Sequence, residues 1–550
     1  MKQLLLIIFS LFITANISSQ EKKTSADALH STSKLVVGVV VDQMRYDYIT
    51  RFWNRFGEGG FKRIAGEGFN FKNAHFNYIP TYTGPGHASV WTGATPESHG
   101  IIGNNWYDKF SRESVYCAGD PEVNPVGTTS SAGKMSPHRM LTTSVADENR
   151  LHTQMQGKTI GVALKDRGSI LPAGHTANAA YWFHGEDEGK WITSSFYRED
   201  LPKWVMDFNK SKKAESYFKT WNTLYDVETY AESGLDENNF EGGFKGQNTA
   251  TFPYDLKKLR KQNGIFDIIK STPFGNNLTT DFAIAALDGE ELGQDDITDF
   301  LTLSYSSTDY VGHNFGVNSK EIQDTYLRLD KDLERMLNAL DEKVGAGNYT
   351  LFLTADHGGV HVPAYLETLN IPSGYFNYGD FKSSVNEFIA STFEVEDAIL
   401  NISNNQIFFN YEKLLEEEID VQQLEKAVAL YCLQYDAVNK VYTRSQLEAT
   451  SYTRGMDALI DMGYHQKRSG DVVLVLEPSV ISYSRTGSTH GSGQSYDTHA
   501  PMLFYGHGIK QGSSMERAEI SDIAPTISAL LGISYPNGST GRPLEVAIEK

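Results

Sequence analysis

The run Leu35-Val36-Val37-Gly38-Val39-Val40-Val41 is apolar throughout and stops at Asp42. A continuous run of that length fits a strand buried on both faces, as a parallel sheet requires. The pattern returns along the chain. Thr159 to Leu164 ends at Lys165, Phe300 to Tyr305 leads to Asp309, Tyr349 to Thr354 precedes Asp356, and Met502 to Tyr505 stops at Gly506. Between these runs the apolar period lengthens to that of helices. From Asn318, a predicted N-cap with Glu321 three residues on, Ile322, Tyr326, Leu329, Leu333, Leu337 and Leu340 fall on one stripe. Ile523-Ala524-Pro525-Thr526 opens another helix, which runs through Leu531 and closes at Gly532. The alternation predicts an α/β fold built on a doubly wound, mostly parallel sheet. Ligands of such sheets sit at the carboxyl ends of the strands, where Asp42, Lys165, Asp309 and Asp356 all fall.

Two stretches break the alternation. Residues 195–275 mix aromatics and charges with Gly-Gly and Asn clusters, predicting a surface insertion in a first core segment spanning 34–374. Residues 375–470 carry amphipathic helices at Tyr411 to Ile419 and Gln422 to Leu433 and predict a smaller inserted cap or accessory domain. Residues 471–550 then complete the core. At the N-terminus, Lys2, the apolar stretch Leu4 to Ala15 and the exit Ser18-Ser19-Gln20 predict a secretory signal over residues 1–20, cleaved near residue 20. That stretch is shorter than the roughly 20 apolar residues that span a bilayer. A secreted mature form without a membrane anchor is expected.

Charge narrows the partners. The chain carries 49 Lys and Arg against 69 Asp and Glu, a formal charge of −20. Nucleic acid and anionic membranes would be repelled. A small phosphorylated ligand in a locally positive pocket is still compatible. The two cysteines, Cys117 and Cys432, fit either one disulfide or two separate buried thiols. Neither lies in a zinc-ribbon spacing, so any metal must use His and carboxylate.

Such a set exists. Asp309 and His313 lie one helical turn apart, Asp356-His357 is followed by Gly358-Gly359, Asp42 ends the first strand, and His490 precedes the last. Three carboxylates and three imidazoles suit Zn²⁺. Two zinc ions against three carboxylates leave a net positive pocket for a phosphate dianion. His499 competes with His490 for the last position. A second element is Tyr82-Thr83-Gly84-Pro85-Gly86-His87-Ala88-Ser89, with Thr83 at a predicted N-cap. There its hydroxyl would meet free backbone N–H groups and, beside metals, could ionise and attack. Thr81 and Ser89 are weaker candidates. The third element is Lys165-Asp166-Arg167. In an extended segment Lys165 and Arg167 point the same way and could clamp one phosphate. His87, His99 and His175 are expected to serve as hydrogen-bonding residues.

With these motifs the chain resembles the two-zinc alkaline phosphatase superfamily over nearly all of its mature length. Thr92-Gly93-Ala94-Thr95-Pro96-Glu97-Ser98-His99-Gly100-Ile101-Ile102-Gly103-Asn104 is also similar to the nucleotide pyrophosphatase/phosphodiesterase branch. The Thr-Gly-Pro-Gly-His-Ala-Ser run, the Lys-x-Arg and the closing Asp522-Ile-Ala-Pro-Thr526 more closely resemble the phosphate-irrepressible alkaline phosphatases, periplasmic monoesterases with a Thr nucleophile. The resemblance implies hydrolysis of phosphate monoesters through a phosphothreonine on Thr83. Asn104 would bind a non-bridging phosphate oxygen, and Lys165 and Arg167 would clamp the transferred group. One zinc would take Asp309, His313 and His490, and the other Asp42, Asp356 and His357, with Thr83 between them. A periplasmic monomer acting on small phosphate monoesters is expected. The alternative is a phosphodiesterase or nucleotide pyrophosphatase on the same two-metal core. A sulfatase is disfavoured because a Cys/Ser-x-Pro-x-Arg motif is absent, and a binding protein without turnover because Thr83 and Asn104 are intact.

Overall fold

The computed structural model describes residues 33–549, so the expected signal segment lies outside them. In chain order the strands that organise it are β1 (Leu35–Val41), β2 (Phe69–His75), β3 (Asn105–Asp108), β4 (Glu113–Tyr116), β5 (Thr159–Ala163), β6 (Ala179–His184), β7 (Lys190–Ser194), β8 (Asp299–Tyr305), β9 (Tyr349–Thr354), β10 (Ile399–Ser403), β11 (Gln406–Phe409), β12 (Val438–Thr443), β13 (Val472–Leu476) and β14 (His499–Gly506). An eleven-stranded sheet forms the centre. Within it β6, β5, β8, β1 and β9 lie side by side and parallel. Antiparallel β7 and β14 flank them, and β2 pairs antiparallel with β14. Every residue of β1, β5, β8 and β9 is buried, because helices cover both faces of the parallel strands. This is the α/β, mostly parallel architecture that the apolar runs require.

Six helices matter below: α1 (Thr83–Thr92), α2 (Asp166–Ala173), α3 (Ser307–Phe315), α4 (Lys320–Leu340), α5 (Val421–Cys432) and α6 (Ile523–Leu531). Trp91 of α1 packs on Phe352 of β9, ring centroids 5.1 Å apart, which seats α1 across the sheet. The apolar stripe of α4 is buried from Ile322 to Leu340, and each fully buried Leu or Ile there contributes about 1.5–3 kcal/mol. Its cap is Ser319, one residue later than expected: Ser319 Oγ accepts from Ile322 N at 3.1 Å, while the Asn318 amide oxygen is taken by Arg51 Nη2 at 2.6 Å. Gly532 ends α6 in the left-handed conformation.

The stretch 195–275, expected as a surface insertion, carries many exposed residues and is anchored in the main core by a few buried aromatics. Trp221, Tyr230 and Tyr254 are buried there, and Trp221 Nε1 donates to Asp324 of α4 at 2.7 Å. A second, antiparallel sheet in the order β10-β11-β13-β12 has a separate core, in which Ile407, Phe409, Val472 and Leu474 pack on Phe381, Val385, Leu424 and Val428. That sheet runs past residue 470 to Leu476. Cys117 and Cys432 are separate buried thiols. Among the described residues no helix is long and apolar enough to cross a membrane.

Candidate active site

Four neighbouring strands, β5, β8, β1 and β9, end at the same edge, about 4.8 Å apart. Beyond those ends lie Lys165, Asp309, Asp42 and Asp356-His357. Asp309 and His313 share one face of α3, with His313 Nε2 3.1 Å from Asp309 Oδ1. His490 arrives on the loop before β14, its Nε2 3.6 Å from Asp309 Oδ1 and its ring stacked on His357 at 3.4 Å. His357 Nε2 lies 3.5 Å from Asp42 Oδ1 and 3.4 Å from Asp356 Oδ2. The competing His499 faces away, stacked on Tyr46 and His75 and bonded to Lys72 O at 3.0 Å.

All three site imidazoles are fixed from behind. Nδ1 of His313 donates to Ser488 O at 2.7 Å, that of His357 to Gly358 O at 2.9 Å, and that of His490 to Thr81 O at 2.8 Å. Each Nε2 is thereby turned toward the carboxylates, where a neutral ring would offer it as a ligand. Burial pushes the pKa of His490 well below the usual imidazole value and lowers that of His357, which keeps both neutral.

The carboxylates are held less comfortably. Burial first, then Asp309 and Asp356, push Asp42 well above the ordinary carboxylate range. Burial acts on Asp309 in the same sense, but His313 and Lys165 outweigh it and hold that group well below the range. Lys165 Nζ sits 2.7 Å from Asp42 Oδ2 and 2.5 Å from Asp309 Oδ2. Even so, neither Asp42 oxygen accepts a well-directed hydrogen bond, and Asp356 Oδ2 has none. Buried carboxylate oxygens without directed donors are costly, and a bound cation would offset that cost. The ligating atoms of Asp309, His313 and His490 lie within 4.8 Å of one another, as do those of Asp42, Asp309 and His357. Oxygen and neutral imidazole donors in this arrangement fit divalent metal ions.

Thr83 opens α1 beside this cluster as its first helical residue, with Tyr82 as the cap. Its Oγ1 lies 3.5 Å from His357 Nε2 and 3.5 Å from Arg167 Nη2. The free N–H groups expected around it are largely used. Gly84 N donates to Asn104 Oδ1 at 2.7 Å, Gly86 N donates to Tyr82 O at 2.8 Å, and Pro85 has none. A side-chain donor, Arg167 Nη2, also lies beside Thr83. With its oxygen engaged by Gly84 N, the Asn104 amide keeps its NH₂ group as a donor. Gly86 is required by close approach, since a Cβ there would lie 2.2 Å from Asp356 O.

Lys165 and Arg167 differ from the extended pair expected. Lys165 is extended, but helix α2 starts at Asp166, so Arg167 rises from its first turn. Lys165 reaches the carboxylates and Arg167 reaches Thr83, from two sides of one site.

Two contributors carry no motif of their own, and a third, His87, lies within the Thr83 motif. Gln43, in the left-handed region at φ 59°, donates from its backbone to Asp356 Oδ1 at 3.1 Å and from Nε2 to Asp309 Oδ1 at 2.9 Å. Tyr116 OH donates to Asp166 and accepts from Arg167 Nη1 at 3.2 Å. His87, one turn after Thr83, donates from Nδ1 to Thr83 O at 2.9 Å and bonds Ser304 Oγ through Nε2 at 2.9 Å. His99 instead bonds Ser89, and His175 bonds Asp147, away from the cluster.

A profile of the Type I phosphodiesterase / nucleotide pyrophosphatase family matches residues 36–501. The chain is 46% identical to a Myroides odoratus protein named calcium-transporting ATPase, over 94% of this chain and 95% of that one. It is 45% identical to alkaline phosphatase PafA of Elizabethkingia meningoseptica, over 94% of each. The crystal structure of wild-type PafA superposes with a TM-score of 0.91 at 44% identity, covering 94% of this chain and 99% of that one.

Proposed function

The chain belongs to the type I phosphodiesterase / nucleotide pyrophosphatase family and is an alkaline phosphatase, a hydrolase of phosphate monoesters; from that premise we propose that it works through a phosphothreonine on Thr83 with two zinc ions. Asp309, His313 and His490 would hold one ion and Asp42, Asp356 and His357 the other, with Asp309 in reach of both sets. When bound, zinc supplies Lewis acidity that favours an ionised threonine oxygen and a negatively charged leaving oxygen.

The protein's own side chains do the positioning. Thr83 Oγ1 attacks phosphorus as the bond to the ester oxygen breaks, giving phospho-Thr83 and the alcohol. Water then attacks phosphorus from the opposite side, restoring Thr83 and releasing inorganic phosphate. In both steps the Asn104 NH₂ group donates to one non-bridging oxygen and the Arg167 guanidinium to another. Lys165, held protonated between Asp42 and Asp309, offsets carboxylate charge that would repel the substrate. Because the transition state of phosphoryl transfer is loose, charge and orientation supply most of the acceleration.

One observation carries this reading: a single buried hydroxyl, Thr83 Oγ1, lies between the candidate metal ligands and the phosphate-binding arginine, 3.5 Å from His357 Nε2 and from Arg167 Nη2. Rapid acid quench during turnover of p-nitrophenyl phosphate, followed by peptide mass spectrometry, tests it. Phosphate is expected on Thr83. Steady turnover with no covalent label, or a label elsewhere, contradicts it. The family profile favours a second reading, a diesterase. A diester brings one negative charge and a second organic group, and so gains less from Lys165 and Arg167 together. We also propose export to the periplasm as a monomer, which N-terminal sequencing and size-exclusion chromatography check.

A further inference from the structure

We propose that the second sheet is a positioning element for phosphate binding, and that Asn404 at its tip acts through Asn104. The inference rests on the role given to Asn104 above. β10 and β11 are joined by Asn404-Asn405, with Ser403 paired to Gln406 and φ of 51° and 58° at the two turn residues. This is the two-residue turn that follows the right-handed strand twist, and Asn tolerates its left-handed geometry. The tip projects onto the segment that carries Asn104. Asn404 Nδ2 donates to Asn105 O at 2.6 Å, and a Cβ on Gly103 would lie 2.8 Å from that same Nδ2.

The contact belongs to a longer clamp. β3 and β4 form a hairpin that begins just after Asn104 and ends at Tyr116. The second sheet holds this hairpin along its length. Tyr107 packs on Phe408 with ring centroids 5.5 Å apart, Lys109 Nζ lies 3.5 Å from Asp471, and the Arg468 guanidinium sits over the Trp106 ring at 5.2 Å. Both ends of the hairpin enter the active site. At one end Asn104 O accepts from Cys117 N at 2.9 Å while the Asn104 side chain meets Gly84 at the start of α1. At the other end Tyr116 bonds Arg167 and Asp166. The two side chains proposed to contact phosphate oxygens thus share a support that the second sheet orients. Among the described residues Asn404 makes no hydrogen bond to Thr83 or to the candidate metal ligands, and its contact with 103–105 gives it a route to Asn104 through that backbone.

The test is a double-mutant cycle on the full-length holoenzyme. Asn404→Gly keeps the left-handed turn without strain and removes the amide. It is combined with Asn104→Ala, reading kcat/KM on an aryl phosphate, competitive inhibition by inorganic phosphate, and the thermal midpoint. Asn404→Gly should lower kcat/KM and weaken phosphate inhibition by about 10-fold, the scale of one lost hydrogen bond. The same change in an Asn104→Ala background should have almost no further effect. Asn404→Asp keeps the turn but cannot donate to Asn105 O, so it should match Asn404→Gly. Unchanged kinetics for Asn404→Gly, or an equal loss in both backgrounds, overturns the proposal. If Asn104→Ala itself leaves phosphate inhibition untouched, the role assigned to Asn104 fails instead.

Discussion

The two sheets treat charge in opposite ways. At the carboxyl edge of the large sheet, Asp42, Asp309, Asp356 and Lys165 are all buried, and three carboxylate oxygens there lack a directed hydrogen bond. Around the small sheet, charges pair at the surface, as in Lys440–Asp457 at 2.6 Å and Arg444–Glu448 at 2.8 Å, and the buried Asp471 accepts directed bonds from Phe409 N and Tyr411 OH at 2.8 Å each. The second pattern is what stability alone selects. The first is costly, and it is held only because four rigid parallel strands fix the groups in place. The proposed chemistry draws on the costly pattern, and the packing of the small sheet on the other.

Substitutions in each region should therefore break different properties. Thr83→Ala is expected to lower kcat/KM on aryl phosphates by roughly 10⁴-fold or more, with no loss of thermal midpoint. Loss of both activity and midpoint would turn Thr83 into a packing residue. Arg167→Ala or Lys165→Ala should cost about 10²–10³-fold on monoesters and distinctly less on diesters; equal losses on both would favour the diesterase reading. Leu424→Ala, in the small core, should destabilise by about 2–5 kcal/mol through the cavity it leaves. Activity per folded molecule should hardly change, because Leu424 is buried on α5 in the core of the small sheet. In metal-free protein, Asp42→Asn should raise the midpoint by the equivalent of about 1–3 kcal/mol, since burial and the neighbouring Asp309 and Asp356 make the charged form of Asp42 costly. With metal restored the sign should reverse.

Much of the site was legible in the sequence because strand ends carry it. The apolar run Leu35–Val41 fixes Asp42, and the spacing of Asp309 and His313 already describes one helical turn. Local pattern failed where a helix begins early or a partner is distant. The sequence pattern predicts an extended Arg167 because the helix entry at Asp166 leaves no apolar signature. His499 competes with His490 on sequence, and the antiparallel pairing of β14 with β2 turns His499 toward His75. Gln43 and Tyr116 gave no signal, since their partners lie 266 residues away at Asp309 and 51 away at Arg167. The aromatics of 195–275 looked peripheral for the same reason: their partner, α4, follows later in the chain.

The most direct measurement is anomalous diffraction at the zinc edge from crystals of active, full-length enzyme. Two strong peaks are expected, one against Asp309, His313 and His490 and one against Asp42, Asp356 and His357, with Thr83 facing both. Active crystals with a single peak there, or with none, would contradict the two-ion site.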